Sequence, residues 1–387
     1  MRFEEENRKM IYLDYAANTP VRGEVLAVFE KTSREYIANP NSSHRLGELA
    51  KIRLDECTRR TLETLGVPEH EIVYTSGASE SNNLAFKGVA DKYKNRGKHI
   101  ITTYLEHSSV NGAAAYLQNA GFEVEYVDIT QEGIVDLNQL KELLRSDTIL
   151  VSLCYVDSEI GLHQPIEQIG AILSAYPNCI FHVDATQAVG KIPVSLENVD
   201  LFTFSPHKFY GLNGCGALVK KPGVMLEPML HGGISTTPYR SGTPALSLVA
   251  ALDEALFLAV PDIEKNYVYV ETLNETLRRE LKQFENVRIN STANSTPFIL
   301  NVSLLGMKVP ALLQKLETYD IYLSSKSACC APNTISRPVY ALTKDKKAAL
   351  STLRISLSHL TTADEIDLFL ERFEDCYHEL SSETHRG

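Results

Sequence analysis

The chain has 387 residues, of which 44% are hydrophobic and 22% are charged, and its formal net charge is −11. This composition is typical of a globular protein with one large or two modest domains, and it excludes global disorder, collagen and coiled coil. An acidic chain is also a poor candidate for binding nucleic-acid phosphates, which requires clustered lysines and arginines.

The chain shows no segment that would place it in or across a membrane. The longest apolar runs, such as residues 149–156, are far shorter than a bilayer requires, and residues 1–10 do not resemble a secretory signal. The seven cysteines include no CxxC pair, and their odd number argues against a disulfide framework. We therefore expect a cytoplasmic protein with no membrane contact, no direct nucleic-acid binding and no metal site.

Strands alternate with helical patterns through the first two thirds of the chain. The candidate strands are Glu71–Thr75, Ile100–Thr103, Glu123–Val127, Thr148–Tyr155, Ile180–Val183, Leu201–Phe204 and Gly216–Val219. This alternation predicts crossover connections and a mainly parallel, seven-stranded sheet flanked by helices. Because ligands bind beyond the carboxyl ends of the strands in such sheets, functional residues are expected directly after them.

The pattern changes near residue 261. Apolar residues from Ile263 to Phe284 recur at spacings of three and four, which predicts a long amphipathic helix. The elements expected after it are strands Phe298–Val302, Ile321–Ser324 and Thr352–Ser356 and a final helix over about 362–380. We therefore predict three parts: an N-terminal segment (1–20) that packs on the small domain, a large α/β domain (21–260) and a small α+β domain (261–387).

Four of the strands lead into residues that suit one chemistry. Residues 76–83 are small and carry hydroxyls at a helix start, which suits an anion, although alone such residues more often form an ordinary N-cap. His107 follows the second strand, and Asp184 follows the fifth. Lys208 follows the sixth beside apolar Phe209, and a desolvated lysine can form an imine.

Taken together, these residues predict a site for pyridoxal 5′-phosphate (PLP). The cofactor requires a phosphate cradle, an aromatic stacker, a carboxylate for its ring nitrogen and an imine-forming lysine. No GxGxxG follows the first strand and no GxxxxGK[ST] occurs, so dinucleotide and P-loop sites are excluded.

Specific segments carry a resemblance that covers residues 11 to about 370. They are Tyr12–Pro20, Asn39–His44, Thr75–Asn83, Glu106-His107, His182–Gln187, Ser205–Lys208, Arg240–Thr243, Ser324–Cys329 and Leu353–Ser356. In these segments the chain resembles the cysteine desulfurases of the class V aminotransferase group, within PLP fold type I. The resemblance implies a PLP-dependent sulfurtransferase with a large PLP-binding domain and a small domain that carries a catalytic cysteine loop.

The resemblance implies roles around the cofactor ring. Lys208 would form the imine with PLP and then move protons. Asp184 would pair with the pyridine nitrogen, and Gln187 would contact the phenolic oxygen. His107 would stack on the ring and take part in proton transfer.

It also implies how the phosphate is held. The residues expected to hold the phosphate are Ala78, Ser79, Ser205 and His207. Thr243 would reach the phosphate of a neighbouring subunit, which implies a homodimer.

The remaining roles concern the substrate, L-cysteine. Arg354 would clamp its carboxylate, a bidentate task suited to a guanidinium. Cys329 would attack the substrate sulfur and carry it as a persulfide, leaving L-alanine. Cys329 stands in a segment of small polar residues (324–333), where Lys326 could favour the thiolate.

Four departures from the family pattern bear on these roles. Ser158 replaces the asparagine that usually precedes Glu159 and serves the ring oxygen and the substrate carboxylate, so we expect Ser158 to reach only one of them. Lys326 stands where glycine is usual, and Cys330 is an additional thiol. Residues 233–239 lack the usual charged pair before Arg240.

The leading hypothesis is therefore a cysteine desulfurase that passes sulfur to an acceptor protein in iron–sulfur assembly or thiolation. One alternative is a selenocysteine lyase, or another PLP-dependent lyase or transaminase, and Ser158 motivates it. A second alternative is a non-catalytic interaction protein on a degenerate PLP fold, against which the intact Asp184 and Lys208 argue.

Overall fold

The computed structural model describes residues 10–326 and 334–384. The strands are β1 (Ile11–Tyr12), β2 (Glu71–Thr75), β3 (His99–Thr103), β4 (Glu123–Val127), β5 (Thr148–Cys154), β6 (Ile180–Asp184), β7 (Leu201–Phe204), β8 (Gly216–Lys220), β9 (Val287–Ile289), β10 (Ile299–Leu304), β11 (Ile321–Tyr322) and β12 (Thr352–Ser356). The α-helices are α1 (Gly23–Glu35), α2 (Arg45–Thr64), α3 (Ala78–Tyr93), α4 (Ser108–Asn119), α5 (Leu137–Leu143), α6 (Ile166–Leu173), α7 (Leu246–Ala259), α8 (Ile263–Leu281), α9 (Val309–Glu317), α10 (Arg337–Thr343), α11 (Lys346–Leu350) and α12 (Ala363–Thr384).

Seven strands form one central sheet in the order β2-β8-β7-β6-β5-β3-β4. Strand β8 is antiparallel to both neighbours, and all other pairs are parallel. Strands β5, β6 and β7 are buried along their whole lengths, as apolar runs are when helices cover both faces of a parallel sheet. The predicted mainly parallel seven-stranded sheet is confirmed, and each strand lies within one residue of its predicted bounds.

The direction of the strands brings the predicted site residues to one edge. Because β2 and β7 are both antiparallel to β8, they run in the same direction as β3, β5 and β6. The residues that follow these five strands therefore meet at a single sheet edge.

The C-terminal part of the chain forms a second sheet, with β10 antiparallel to both β12 and β9. Helix α8 ends at Leu281, so Phe284 lies just beyond it, where its ring packs edge-on against Phe373 and Tyr377 of α12. Helix α12 continues past the predicted end near residue 380, to Thr384.

The N-terminal segment forms a two-stranded sheet with the C-terminal part of the chain and then runs to the central sheet. Strand β1 pairs in parallel with β11, and the backbone N–H of Ser356 on β12 donates to the carbonyl of Leu13 at 2.8 Å. This pairing carries Ala16 and Ala17 to the site edge of the central sheet. No helix in the described part of the chain has the length and apolar content needed to cross a bilayer.

Candidate active site

A cavity of about 320 Å³ lies at the carboxyl edge of the central sheet. The predicted site residues that line it are Ala78, Ser79, His107, Ser158, Asp184, Gln187, His207, Lys208 and Arg354. These residues come from six separate parts of the chain, and the strand directions bring them together.

Lys208 lies at the end of a single 3-10 turn (Pro206–Lys208) that follows β7. Its Nζ donates to the carbonyl oxygens of Ala16 at 2.8 Å and Ala17 at 2.7 Å. The N-terminal segment therefore holds the lysine amine at the cavity wall, where an aldehyde could reach it.

Asp184 is the last residue of β6 and is only 6% exposed. Its Oδ2 accepts from Asn82 Nδ2 at 2.7 Å, and its Oδ1 accepts from the backbone N–H of Thr186 at 3.0 Å. Both donors are neutral, whereas a buried carboxylate is stabilised by a cation. The protonated ring nitrogen of PLP would supply that cation, so the donor set at this position fits the cofactor.

His107 caps the N-terminus of α4. Its Nδ1 accepts from the backbone N–H of Ser109 at 3.2 Å, which leaves the proton of a neutral ring on Nε2. Burial lowers the pKa of His107; the charge of Lys208 adds to this, and Asp184 opposes it. A neutral, fixed imidazole suits stacking against a ring and proton transfer at Nε2.

The turn before α3 forms a close-fitting cradle at one end of the cavity. A Cβ atom at Gly216, on the paired end of β8, would lie 2.5 Å from the carbonyl carbon of Gly77 and 2.9 Å from the backbone nitrogen of Ala78. Glu80 braces the turn, because its Oε2 accepts from the backbone N–H of Ser76 at 2.7 Å and its Oε1 accepts from Arg240 Nε at 2.9 Å. The helix start is thus presented to the cavity, as phosphate binding requires.

His207 lines the same cavity as this turn, and Ser205 contacts the backbone just before Gly216. The Ser205 hydroxyl donates to the Cys215 carbonyl at 2.7 Å and is 2.9 Å from His207 Nδ1. Burial, together with the charges of Lys208 and Lys191, lowers the pKa of His207 to about 4. His207 lines the cavity but Ser205 does not, so the phosphate contact of Ser205 stays a prediction.

Gln187 lines the cavity and contacts both the N-terminal segment and Lys191. Its Nε2 donates to the Ala16 carbonyl at 2.9 Å, and its Oε1 accepts from Lys191 Nζ at 2.8 Å. The Ala16 carbonyl is therefore shared by Gln187 and Lys208.

Arg354 projects from β12 and is 1% exposed. Its Nη2 contacts Asp14 Oδ1 at 2.7 Å, and its Nη1 donates to the backbone carbonyl of Ser158 at 2.8 Å. Its Nε has no hydrogen-bond partner among the described residues. These contacts hold the guanidinium at the cavity, with donor capacity left for a carboxylate.

The two residues before Glu159, Asp157 and Ser158, contact different parts of the structure. Ser158 lines the cavity and offers its carbonyl to Arg354. The buried Asp157 carboxylate accepts from the backbone N–H groups of Glu159, Ile160 and Leu162, and burial raises its pKa to about 6. The Asp157 carboxylate therefore stabilises the turn formed by residues 157–162.

Thr243, like Ser205, is not among the residues that line this cavity. Thr243 is exposed on the surface, where its Oγ1 lies 3.4 Å from Asn39 Nδ2. Cys329, like Cys330, lies outside the described residues. Lys326 precedes that segment, and its Nζ donates to the carbonyl and the hydroxyl of Thr334 at 2.8 and 2.7 Å.

Several residues that hold the site residues in place were not predicted from the sequence. Asn82 and Asp14 lie inside segments that carry the family resemblance, but nothing local to them indicates that they bind Asp184 and Arg354. Glu106 precedes His107 and is buried, and its Oε1 accepts from Thr103 Oγ1 at 2.7 Å and from the Cys154 backbone N–H at 2.8 Å. Burial raises the pKa of Glu106 to about 8.

Comparisons with known proteins agree with this architecture. The family model for class V aminotransferases matches residues 11–369, so the chain belongs to that family. Cysteine desulfurase IscS of Serratia proteamaculans (strain 568) is 40% identical over 93% of this chain and 91% of its own length. The solved structure of a NifS-like protein is 34% identical, has a TM-score of 0.89, and matches 96% of this chain and all of its own.

A further solved structure, SspA in complex with cysteine, is 31% identical with a TM-score of 0.79, over 91% of this chain and all of its own. The predicted family, the PLP fold type I and the PLP cofactor are confirmed. The protein is thus a PLP-dependent enzyme of the class V aminotransferase family.

Proposed function

We propose that this protein is a cysteine desulfurase, which takes sulfur from L-cysteine, releases L-alanine and carries the sulfur as a persulfide on Cys329. The observation that carries the proposal is the convergence of Lys208, Asp184 and His107 on one cavity, with Arg354 on its wall. Relatives that cover more than nine tenths of the chain bear this activity in their names. The similarity to these relatives confirms the cysteine desulfurase activity that was predicted from the sequence.

PLP, when bound, supplies an electron sink for a carbanion at the substrate Cα. Lys208 would hold the cofactor until substrate arrives, and its amine would then carry protons between substrate atoms. Asp184, aligned by Asn82, would keep a proton on the pyridine nitrogen. His107 would cover one face of the ring.

Arg354 would bind the carboxylate of L-cysteine with the donors that Asp14 and Ser158 leave available. Cys329, as a thiolate, would attack the substrate sulfur. An S–S bond then forms, the Cβ–S bond breaks, and its electron pair passes to the substrate carbon, which is protonated to give alanine. Ser158 would offer the substrate a hydroxyl where relatives offer an amide.

We further propose a homodimer in which Thr243 reaches the phosphate of the neighbouring subunit. Thr243 is exposed and does not line the cavity of its own chain, and nearby Ile37 is 80% exposed. A sulfur-acceptor protein is the expected partner. The cytoplasmic location and the division into residues 1–20, 21–260 and 261–387 stay predictions.

The decisive experiment mixes the purified protein with L-cysteine and a thiol reductant and measures sulfide and alanine. We expect equal yields, and loss of both in Lys208→Ala and Cys329→Ala. Absence of sulfide while PLP is bound would overturn the proposal.

Two further measurements separate the alternative functions. If Cys329→Ala leaves turnover of another amino acid intact, the protein is a different PLP-dependent lyase or transaminase, such as a selenocysteine lyase. If no visible absorption band forms after PLP is added, a non-catalytic interaction protein becomes the better description.

A further inference from the structure

Lys191 lies beside the site, and the roles assigned above do not include it. It follows the turn after β6, where Gly190 adopts a left-handed conformation (φ 74°) and packs so tightly that a Cβ would lie 2.8 Å from Phe209 Cβ. This turn places Lys191 against the segment that carries Lys208. The titratable and charged groups that face its amine are Lys208, Arg354 and His207.

The contact between Lys191 and Gln187 settles an orientation that a glutamine alone leaves open. A glutamine amide can face either way, but the Ala16 carbonyl can only accept and the Lys191 amine donates here, so the two contacts together place the amide nitrogen towards Ala16 and the oxygen towards Lys191. Lys191 Nζ lies 2.8 Å from Gln187 Oε1, and this turns Nε2 towards the Ala16 carbonyl at 2.9 Å. Since an amide nitrogen carries two hydrogens, the second is available to a ligand acceptor.

We propose that Lys191 is a positioning residue, which fixes the Gln187 amide so that its nitrogen, and not its oxygen, is presented to the phenolic oxygen of PLP. The inference rests on the proposed function. Donation from Lys191 also polarises the amide and strengthens its N–H groups as donors. In the reversed amide, two oxygens would face each other and repel.

The consequence can be measured on the bound cofactor without turnover. A donor at the phenolic oxygen stabilises its negative charge and so disfavours protonation of the nearby imine nitrogen that Lys208 forms. Loss of Lys191 should therefore raise the pH at the midpoint of the cofactor's absorbance titration. Burial, Lys208 and Arg354 lower the pKa of Lys191 to about 7, which weakens but does not remove the donor, because a neutral amine also donates.

The test titrates the absorbance of PLP-loaded protein in the parent, Lys191→Met, Lys191→Gln and Lys191→Arg. We expect Lys191→Met to raise the midpoint by about one pH unit, a tenfold change in proton affinity. Lys191→Gln removes the charge but keeps an N–H donor, so it should raise the midpoint less than Lys191→Met does. Lys191→Arg, which keeps an N–H donor and is always charged, should leave the midpoint at or below that of the parent, and Lys282→Met serves as the control at an exposed lysine.

A double-mutant cycle with Gln187→Met separates positioning from a direct charge effect. If Lys191 acts through Gln187, Lys191→Met should have little further effect once Gln187 is methionine. An equal shift in both backgrounds, or an unchanged midpoint in Lys191→Met, would overturn the inference alone. If the parent protein forms no visible absorption band after PLP is added, the proposed function and this inference are both overturned.

Discussion

Arg354 shows how a single buried side chain joins distant parts of this molecule. It comes from β12, contacts Asp14 of the N-terminal segment and holds the Ser158 carbonyl that follows β5. A guanidinium can serve these partners and a ligand carboxylate together, because it offers five N–H donors in one plane.

Arg354→Lys tests this role, because it keeps the charge and removes the planar fork. We expect the KM for L-cysteine to rise by about 10- to 100-fold, since one or two charge-assisted hydrogen bonds are lost. Steady-state kinetics measure the effect, and Arg279→Lys on the exposed face of α8 is the matched control. An unchanged KM would show that the substrate carboxylate binds elsewhere.

Glu106 makes the stability of the protein depend on pH. Its pKa is about 8 in the folded chain and 4.5 when exposed, so the folded state holds an extra proton between these values. The associated stabilisation is complete below about pH 4.5 and is lost as the pH rises through about 8. His207, whose pKa is lowered to about 4, acts in the opposite sense below about pH 6.5.

Glu106→Gln should remove the Glu106 contribution and leave that of His207. We expect the free energy of unfolding of the parent to decrease, relative to the variant, by up to about 1.4 kcal/mol per pH unit between about pH 5 and 8. Urea unfolding of PLP-loaded protein at fixed concentration measures both slopes. If the free energies of unfolding of the parent and of Glu106→Gln change with pH in the same way, Glu106 is not the source of the pH dependence. A constant difference between the two curves does not affect this comparison.

At the scale of elements, strand β8 shapes the phosphate end of the site without contributing a functional side chain. Gly216→Ala should push the end of β8 away from the Gly77 turn, because the new Cβ would lie 2.5 Å from backbone. We expect PLP affinity to fall at least tenfold, measured by titration of the apoprotein. Gly112→Ala in α4 is the control, since its Cβ would meet nothing within 4 Å and helix propensity improves.

The elements themselves could be predicted well from the sequence, because each buried strand is a short apolar run between polar or glycine-containing turns. Strands β2 and β7 match their predicted bounds, and β6 differs only by including Asp184. The two-residue strands β1 and β11 are less predictable. They are defined by their pairing with each other, and no periodicity exists over two residues.

The candidate site was predictable in its residues but not in its internal contacts. Lys208 and Asp184 follow strands, and strand order converts that position into proximity. Asn82 and Asp184 are 102 positions apart, and Asp14 and Arg354 are 340 apart, so only the folded chain reveals these bonds. Ser205 also follows β7, but this position alone does not reveal that its hydroxyl donates to the Cys215 carbonyl.

At the scale of the whole molecule, the proposed dimer makes each site depend on two chains. Thr243 is exposed and does not line the cavity of its own chain, which fits the proposed phosphate contact across the subunit boundary. Thr243→Ala should therefore weaken PLP binding, by up to about tenfold for one lost charge-assisted hydrogen bond, and leave the folded protomer intact. Lys208→Ala should abolish turnover in the chain that carries it.

Mixed dimers of these two variants distinguish a contact across the boundary from one within a chain. In a mixed dimer, the chain with Thr243→Ala keeps its own Lys208 and receives an intact Thr243 from its partner. At a PLP concentration that leaves the Thr243→Ala dimer mostly unloaded, mixing should therefore restore sulfide release from one site per mixed dimer. No gain on mixing, with exchange of subunits verified by differently tagged chains, would mean that Thr243 does not serve the neighbouring site.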